Sequence, residues 1–376
     1  MRVHFGGENC IMAELLKDIY SPQFFKELCA VFKNNIPDFN EEIFLNLIYD
    51  EAWPQRELKA RMRHIAIVLK EFLPDDFAKA APILHNLVAP LGAVEQKFFA
   101  FGCMFLPDYV EVFGLEDFTT SVKLLEHITP LVSAEFAVRP FLKTYPDAMM
   151  AKMLAWASSD NHHVRRLASE GTRPRLPWAM AVPFLKREPD KILTILKILK
   201  NDESGYVRRS VANNLNDISK DFPDLVLKTA HEWQGKNVET DRLLKHACRT
   251  LLKAASREAM ELFDLKAQAE VSGLQLHGDV VPIGCELSFQ FDVALHGDKA
   301  AVLRLEYAID YAKARGKSSR KVFKISERAF EPGVRETIRR RQTFKDMTTR
   351  KHYAGEHTLS VIVNGVEMAS ARFWVE

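Results

Sequence analysis

The amino-acid sequence predicts an all-α region followed by an all-β region. From residue 12 to about residue 265, apolar residues recur at three- and four-residue spacing, the period of an amphipathic helix. After residue 270 they alternate, as in half-buried strands. We therefore expect a multidomain protein with an all-α HEAT-like repeat solenoid at 12–265 and an immunoglobulin-like β-sandwich at 270–376, joined by a linker near 266–272.

Internal repetition predicts how the helices are arranged. Proline–aspartate pairs at Pro146, Pro189 and Pro223 each precede an apolar helical pattern, and proline with an acid in the first turn is typical of a helix start. The tripeptide Val-Arg-Arg at 164–166 recurs 43 residues later at 207–209. Helix pairs with a period of about 40 residues are typical of HEAT-like repeats, which stack into a curved solenoid.

The C-terminal part is predicted to contain six or seven short strands. Six segments carry the pattern: LSFQFDVAL, VLRLEYAIDY, KVFKISERAF, ETIRRRQTF, HTLSVIVNG and VEMASARFWV. Asn364-Gly365 between the last two indicates a two-residue hairpin. Because Cys285 is the only cysteine in this part, the sandwich lacks the disulfide that joins the two sheets of antibody domains.

Composition excludes several classes of protein. The five cysteines are scattered and form no Cys-x-x-Cys pair, which argues against a disulfide framework or a zinc cage and fits a reducing cytoplasm. No apolar run approaches the roughly 18 residues of a membrane span, and the first residues lack the apolar core of a signal peptide. We expect a cytoplasmic monomer that uses no metal and no organic cofactor.

Positive charge is concentrated in one part of the predicted sandwich. The whole chain has a formal net charge of only +2, but residues 313–351 contain fourteen Lys or Arg against four Asp or Glu. The candidates for phosphate contacts in this segment are Arg320, Lys321, Arg339, Arg340 and Arg341. Such charges either lie on a solvated strand face or bind nucleic-acid phosphates, and the pattern leaves both interpretations open.

The stretch SDNHHVRRLASEGTRPRLPW at 159–178 mixes a helical pattern with arginines, one carboxylate and a tryptophan. Glu170 follows Arg166 by four residues, so both lie on one helix face. In the next repeat Asp217 lies near the equivalent face. Neighbouring repeats would therefore bring two carboxylates together, with Glu135 as a third and Trp178 as a flat aromatic wall.

Six arginines around these carboxylates are candidate DNA contacts: Arg165, Arg166, Arg173, Arg175, Arg208 and Arg209. The alternative is a ladder of salt bridges between repeats, in a non-enzymatic scaffold that binds a protein or undamaged nucleic acid. In that case Glu170 and Asp217 would be buried in ion pairs.

A family resemblance bears on this choice. Residues 12–265 resemble the DNA alkylation-repair glycosylases of HEAT-repeat fold, the AlkC and AlkD group. The segments HVRRLASEGTRPRLPW and YVRRSVANNLNDISKDFPD are similar to the AlkC branch, and the β-rich tail is similar to its subset with an immunoglobulin-like domain. The resemblance places active-site positions on Glu135, Arg166, Glu170, Trp178 and Asp217. Trp156 and Asp160, which resemble an AlkD spacing, are secondary candidates.

The resemblance implies hydrolytic excision of N3-alkylated bases, 3-methyladenine and 3-methylcytosine, from double-stranded DNA without full base flipping. Such a base is cationic, so its glycosidic bond is already weakened. The enzyme then needs negative charge near the sugar, where an oxocarbenium-like centre develops, and a held water. The carboxylates would supply the charge, Trp178 would pack on the deoxyribose, and the basic strands of the sandwich would clamp the duplex.

Overall fold

The computed structural model describes residues 16–313, 318–346 and 351–376. Residues 12–15 of the predicted helical domain lie outside the described residues, as do Arg315, Lys317 and Arg350 of the basic segment. The chain divides into two compact units, the first ending at Ile218 and the second beginning at Ser219. No helix in the described ranges is long and apolar enough to cross a membrane.

The first unit is helical. It contains short 3-10 turns at Leu16–Ile19 and Trp53–Gln55. Its α-helices are α1 (Pro22–Asn35), α2 (Glu41–Ile48), α3 (Leu58–Lys70), α4 (Phe77–Gly92), α5 (Phe99–Gly102), α6 (Phe105–Phe113), α7 (Phe118–Ile128), α8 (Val138–Thr144), α9 (Pro146–Trp156), α10 (His162–Gly171), α11 (Pro183–Arg187), α12 (Pro189–Leu199) and α13 (Gly205–Ile218).

The repeat predicted from the sequence is present as two stacked helix pairs. Helices α9 and α12 both begin at a proline, as the Pro-Asp signals predict. Within each pair α9 packs on α10 and α12 on α13; between pairs α9 packs on α12 and α10 on α13. The Asn161 side chain caps α10 by accepting a hydrogen bond from the amide of His163. This two-layer stacking places the C-terminal ends of α10 and α13 side by side.

The second unit combines four helices with a β-sandwich. The helices are α14 (Pro223–Trp233), α15 (Val238–Ala247), α16 (Arg249–Lys253) and α17 (Arg257–Leu262). The strands are β1 (Ala269–His277), β2 (Val280–Val281), β3 (Glu286–Leu295), β4 (Ala301–Ala312), β5 (Ser318–Phe330), β6 (Arg335–Thr343), β7 (Gly355–Val363) and β8 (Val366–Val375). They form one sheet of order β1-β3-β6 and a second of order β2-β8-β7-β4-β5.

All six predicted strand segments are strands in the structure, and the fold class is confirmed. Asn364 and Gly365 form the turn between β7 and β8 with φ of 45° and 78°, the left-handed values that such a hairpin turn requires. The predicted linker at 266–272 is wrong at its end, because β1 begins at Ala269. A bulge between Ser272 and Gln275 shifts the pairing of β1 with β3, which interrupts the alternation that would have revealed the strand.

Helix α15 is joined to the sandwich by a partly buried ionic network. The Lys245 ammonium pairs with the Glu327 carboxylate on β5. The Arg304 guanidinium on β4 donates to Glu327 at 2.8 Å and to Glu306 at 2.6 Å. Burial alone would raise the pKa of Glu327, but hydrogen bonds from Lys245 and Lys324 outweigh it and lower that pKa to about 2. A charged contact therefore links α15 to the sandwich.

Candidate functional site

The predicted carboxylates lie at the ends of neighbouring helices in the first unit. Glu170 is the penultimate residue of α10 and Asp217 the penultimate residue of α13, while Glu135 precedes α8. The C-terminal end of a helix carries partial negative charge, so it is an unfavourable place for a carboxylate. Glu170 is 4% exposed and Asp217 is 2% exposed. Two buried acids at these positions need nearby positive charge.

Arg173 supplies that charge and bridges the two acids. Its Nη1 donates to Glu170 Oε1 at 2.7 Å and its Nε donates to Asp217 Oδ2 at 2.9 Å. Burial would lower the pKa of Arg173, but Glu170 and Asp217 outweigh it and raise that pKa. Ser210 on α13 donates its hydroxyl to Glu170 Oε2 at 2.6 Å. The two carboxylates are thus brought together and fixed in orientation by charge-assisted hydrogen bonds.

Arg166 connects the third carboxylate to this pair. Its guanidinium pairs with Glu135 and lies 3.4 Å from Glu170 Oε1. The ring of Tyr206 lies 4.9 Å from the Arg166 guanidinium carbon, a stacking distance. Burial would lower the pKa of Arg166, but Glu135 and Glu170 outweigh it and raise that pKa. The loop before α8, helix α10 with the segment after it, and helix α13 therefore contribute to a single ionic network. We call it the carboxylate network: Glu135, Arg166, Glu170, Arg173 and Asp217.

Arg139 on α8 lies behind this network. It is 1% exposed, and within the described residues no carboxylate pairs with it. Burial lowers the pKa of Arg139, the positive charge of Arg173 lowers that pKa further, and the negative charge of Asp217 partly offsets the decrease. The resulting pKa of Arg139 is about 10. Its Nη1 donates to the carbonyls of Gly171 at 3.0 Å and Arg173 at 2.7 Å. A Cβ at Gly171 would lie 2.8 Å from a Val138 methyl, so only glycine lets α10 end this close to α8.

Trp178 lies in the segment that follows Arg173. Its indole is 59% exposed, an unusual environment for so large an apolar side chain. Its φ is 66°, in the left-handed region that is strained for a residue other than glycine. The ammonium of Lys59 on α3 donates to the Trp178 carbonyl at 2.8 Å. The indole is therefore accessible to solvent, and its backbone is tied to α3.

Besides Arg166 and Arg173 of the carboxylate network, two further predicted DNA-binding arginines make contacts within the fold. Arg165 donates to the carbonyls of Ser159 and Asp160, and Arg208 donates to those of Asp202 and Glu203, the equivalent positions 43 residues later. Arg165 also makes a bidentate pair with the Asp202 carboxylate at 2.6 and 3.0 Å. These contacts hold each polar turn against the helix that follows it. They explain why the first arginine of the Val-Arg-Arg tripeptide is present in both repeats.

The remaining helical candidates differ in exposure. Arg175 and Arg209 are exposed, and Arg209 makes no ion pair within the described residues. Trp156 is 2% exposed, so its indole belongs to the core and is unavailable to a duplex. Asp160 is exposed and offers its backbone carbonyl to Arg165. In the described ranges no three His, Cys, Asp or Glu side chains are grouped as metal ligands.

The predicted basic residues of the second unit are all exposed. They lie on β5 and β6, which are edge strands of the two sheets. Arg320 pairs with Asp310 at 3.0 Å and Glu367 at 2.5 Å, and Arg341 lies 3.9 Å from Glu286. Arg339 donates to Gln290 at 3.2 Å and Arg340 to its neighbour's carbonyl, while the Lys321 ammonium lies 5.6 Å from the Phe323 ring. Exposed ion pairs of this kind contribute little to stability.

Sequence reasoning missed several residues that support the carboxylate network: Lys59, Arg139, Tyr206, Ser210 and Asn214. Arg139 carried a signal, because it interrupts the apolar positions of AVRPFL. Ser210 and Asn214 are spaced by four residues on the face of α13 that meets α10, where Asn214 donates to the Ser169 carbonyl at 2.7 Å. Lys59 had no local signal, since its partner is 119 residues away.

Comparison with known families matches most of the chain. Residues 127–263 match a family described as DNA alkylation repair enzyme. Residues 270–376 match the domain described as the C-terminal Ig-like domain of the uncharacterised protein YhaZ. The first match contains the whole carboxylate network, and the second coincides with the predicted sandwich.

Two individual proteins match along nearly their full length. The Bacillus subtilis (strain 168) protein described as uncharacterized protein YhaZ is 45% identical over 365 residues, which cover 96% of this chain and 99% of the relative. A structure of the Pseudomonas fluorescens alkylpurine DNA glycosylase AlkC, bound to DNA containing an abasic site analog, is 35% identical with a TM-score of 0.89. That match covers 96% of this chain and 99% of the other.

Proposed function

The chain belongs to the family of DNA alkylation repair enzymes that includes AlkC, and on that premise we propose that it is a monofunctional DNA glycosylase. Its substrates would be N3-alkylated bases, 3-methyladenine and 3-methylcytosine, in double-stranded DNA. The observation that carries the proposal is the match along nearly the whole chain to a glycosylase bound to DNA containing an abasic site analog. Such an analog resembles the product that base excision leaves.

The carboxylate network suits the chemistry of a cationic leaving base. The base departs with the electron pair of its glycosidic bond and becomes neutral, so no acid is needed to protonate it. Positive charge then develops on the deoxyribose, and Glu170 and Asp217 would stabilise it electrostatically in a site of low dielectric. A water held by one of these carboxylates adds to the anomeric carbon, and its proton passes to that carboxylate. Arg173 and Ser210 keep the carboxylates preorganised.

The exposed residues near the network would bind the duplex. Trp178 offers an indole face to the deoxyribose, and its strained backbone is consistent with a position selected for contact over stability. Arg175 and Arg209 would hold flanking phosphates. Because these contacts act on the sugar and the backbone, the base would not have to rotate fully into a pocket.

The sandwich would add phosphate contacts through the exposed residues Arg320, Lys321, Arg339, Arg340 and Arg341. Such contacts contribute affinity without sequence preference. We further propose that the protein works as a cytoplasmic monomer without a metal or organic cofactor.

One observation favours the scaffold alternative. Glu170 and Asp217 are both buried and both paired with Arg173, as a salt-bridge ladder between repeats would require. A scaffold of this kind would bind DNA or protein and release no base. Release of a base, and not binding of DNA, therefore distinguishes the two candidate functions.

The decisive experiment is a base-release assay with product identification. Purified protein is incubated with methylated duplex DNA, and the released bases are separated and identified by mass. We expect free 3-methyladenine together with alkali-labile abasic sites in the DNA. Undamaged duplex is the matched substrate control. Binding of methylated DNA with no release of any base would refute the proposal and favour the scaffold.

Arg209→Gln tests the phosphate contacts in the first unit. Because Arg209 is exposed and has no ionic partner within the described residues, its loss should leave the melting temperature unchanged. We expect weaker DNA binding and a slope of log Kd against log salt that is smaller by about one. The control is Arg257→Gln in the second unit, an exposed arginine paired with Glu261. Equal salt slopes for Arg209→Gln and wild type would show that Arg209 contacts no phosphate.

A further inference from the structure

The segment between α10 and α11, residues 172–182, carries two residues that the proposed function uses. Arg173 bridges the carboxylates at its beginning, and Trp178 presents its indole further along. The segment contains no helix or strand of its own. A catalytic geometry needs tight positioning, so other parts of the molecule must hold this segment in place.

Arg139 holds the segment at both ends. Its Nη1 donates to the carbonyls of Gly171 and Arg173, and its Nε donates to the Met180 carbonyl at 3.1 Å. All three bonds go to backbone atoms, so they fix the path of the chain irrespective of its side chains. A buried guanidinium with no carboxylate partner in the described residues is unfavourable. Its hydrogen bonds indicate that it acts as an internal clamp.

Lys59 holds the middle of the segment. It lies on α3, far from α10 in sequence, and its ammonium donates to the Trp178 carbonyl at 2.8 Å. The same ammonium lies 5.0 Å from the centre of the Phe136 ring. The bond is made at the residue whose backbone is in the strained left-handed region. The hydrogen bond to this carbonyl opposes relaxation of the strained backbone. Such a relaxation would change the orientation of the Trp178 indole.

We infer that Lys59 and Arg139 are positioning residues that fix the 172–182 segment and thereby set the orientation of Arg173 and Trp178. This inference rests on the proposed function for its catalytic consequence. Lys59 would act through Trp178 and not through DNA. Arg139 would act through the main chain beside Arg173. Neither residue needs to touch the substrate.

Lys59→Met is the principal test, because it removes the donor and keeps a side chain of similar length. We expect the single-turnover rate of base release at saturating protein to fall about tenfold. The salt slope of DNA binding should not change, and Lys59→Arg should restore most of the rate. Lys26→Met, at an exposed lysine of α1, is the matched control and should behave as wild type. A wild-type rate for Lys59→Met, or a loss of binding with a smaller salt slope, would overturn the inference.

Two further measurements separate positioning from a general effect. In a double-mutant cycle, Lys59→Met should reduce the rate of base release little further in a Trp178→Phe background. Both changes remove the same interaction, that of the correctly oriented Trp178 indole. Fluorine NMR of protein containing 5-fluorotryptophan should show a shifted or broadened Trp178 signal in Lys59→Met, with the other four tryptophan signals unchanged. Additive rate effects, or an unmoved Trp178 signal, would count against positioning.

Arg139→Lys tests the clamp, because it keeps the charge but cannot reproduce the guanidinium geometry. We expect a rate loss of about tenfold and a shifted Trp178 signal; an unchanged rate and signal in a folded variant would exclude the clamp. If Arg139→Lys does not fold, the Lys59 variants alone test whether the 172–182 segment is positioned as inferred. If wild-type protein releases no base, the proposed function fails, and the fluorine spectra of Lys59→Met alone decide whether the segment is positioned as inferred.

Discussion

Replacing Glu170 with glutamine, or Asp217 with asparagine, is expected to slow base release by about 100- to 1000-fold. Each change keeps the side-chain shape and removes one negative charge beside the developing sugar cation. DNA affinity should change by only a few-fold, since neither buried carboxylate is proposed to hold a phosphate. Single-turnover rates and fluorescence-anisotropy titrations on methylated duplex measure the two effects separately.

The controls must exclude loss of folding, because each substitution leaves Arg173 with one anionic partner fewer. Circular dichroism and thermal melts test this directly. Glu203→Gln is the matched surface variant: its carboxylate is exposed and lies 3.4 Å from Arg165 at the edge of the same repeat. It should retain the wild-type rate. Wild-type rates from both folded variants, Glu170→Gln and Asp217→Asn, would remove the carboxylates from the mechanism.

Replacing Glu327 with glutamine is expected to destabilise the second unit by about 3 kcal/mol at neutral pH, the lower end for breaking a buried ion pair. The lower end applies because Lys245 and Lys324 are partly exposed. The change leaves the Arg304 guanidinium buried beside Glu306 with one anionic partner fewer. Urea denaturation followed by circular dichroism and tryptophan fluorescence measures the change.

The acid dependence gives a second readout of the same network. The folded pKa of Glu327 is lowered to about 2, so its contribution is fully present above the ordinary glutamate pKa and is lost as pH falls towards 2. Wild-type stability should therefore decline more steeply than that of Glu327→Gln between about pH 4.5 and pH 2. Glu356→Gln, at an exposed strand position, should follow wild type. Parallel curves for wild type and Glu327→Gln would contradict the assignment.

Periodicity predicted the elements well and their irregularities poorly. The six predicted strand segments are all present, whereas the predicted linker at 266–272 includes the first four residues of β1. Its bulge at Gly273, where φ is 62°, moves later side chains to the opposite face. The extra residue of a bulge breaks the two-residue alternation, so a strand that contains a bulge does not show the pattern by which strands are predicted.

The carboxylate network was predictable to the extent that helix geometry fixes it. Glu170 and Arg166 share a face by spacing alone, and the 43-residue repeat placed α13 beside α10. The resemblance to AlkC-type proteins selected the same carboxylates, and membership of that family is now established. Spacing could not show that Arg173 joins Glu170 to Asp217, because that contact depends on the path of the segment after α10. The roles of these residues remain predictions.

The ionic link from α15 to β5 also bears on how this protein can be divided. The turn at Gly365 lies against the loop after α16, where an added Cβ would come within 2.9 Å of Ala255 and Met260. A sandwich cut out at residue 270 would lose Lys245 and expose the surface beneath that turn. The sandwich and its four preceding helices therefore form one compact unit, which begins at Ser219. The change from helix to strand lies inside that unit and is not a boundary between units.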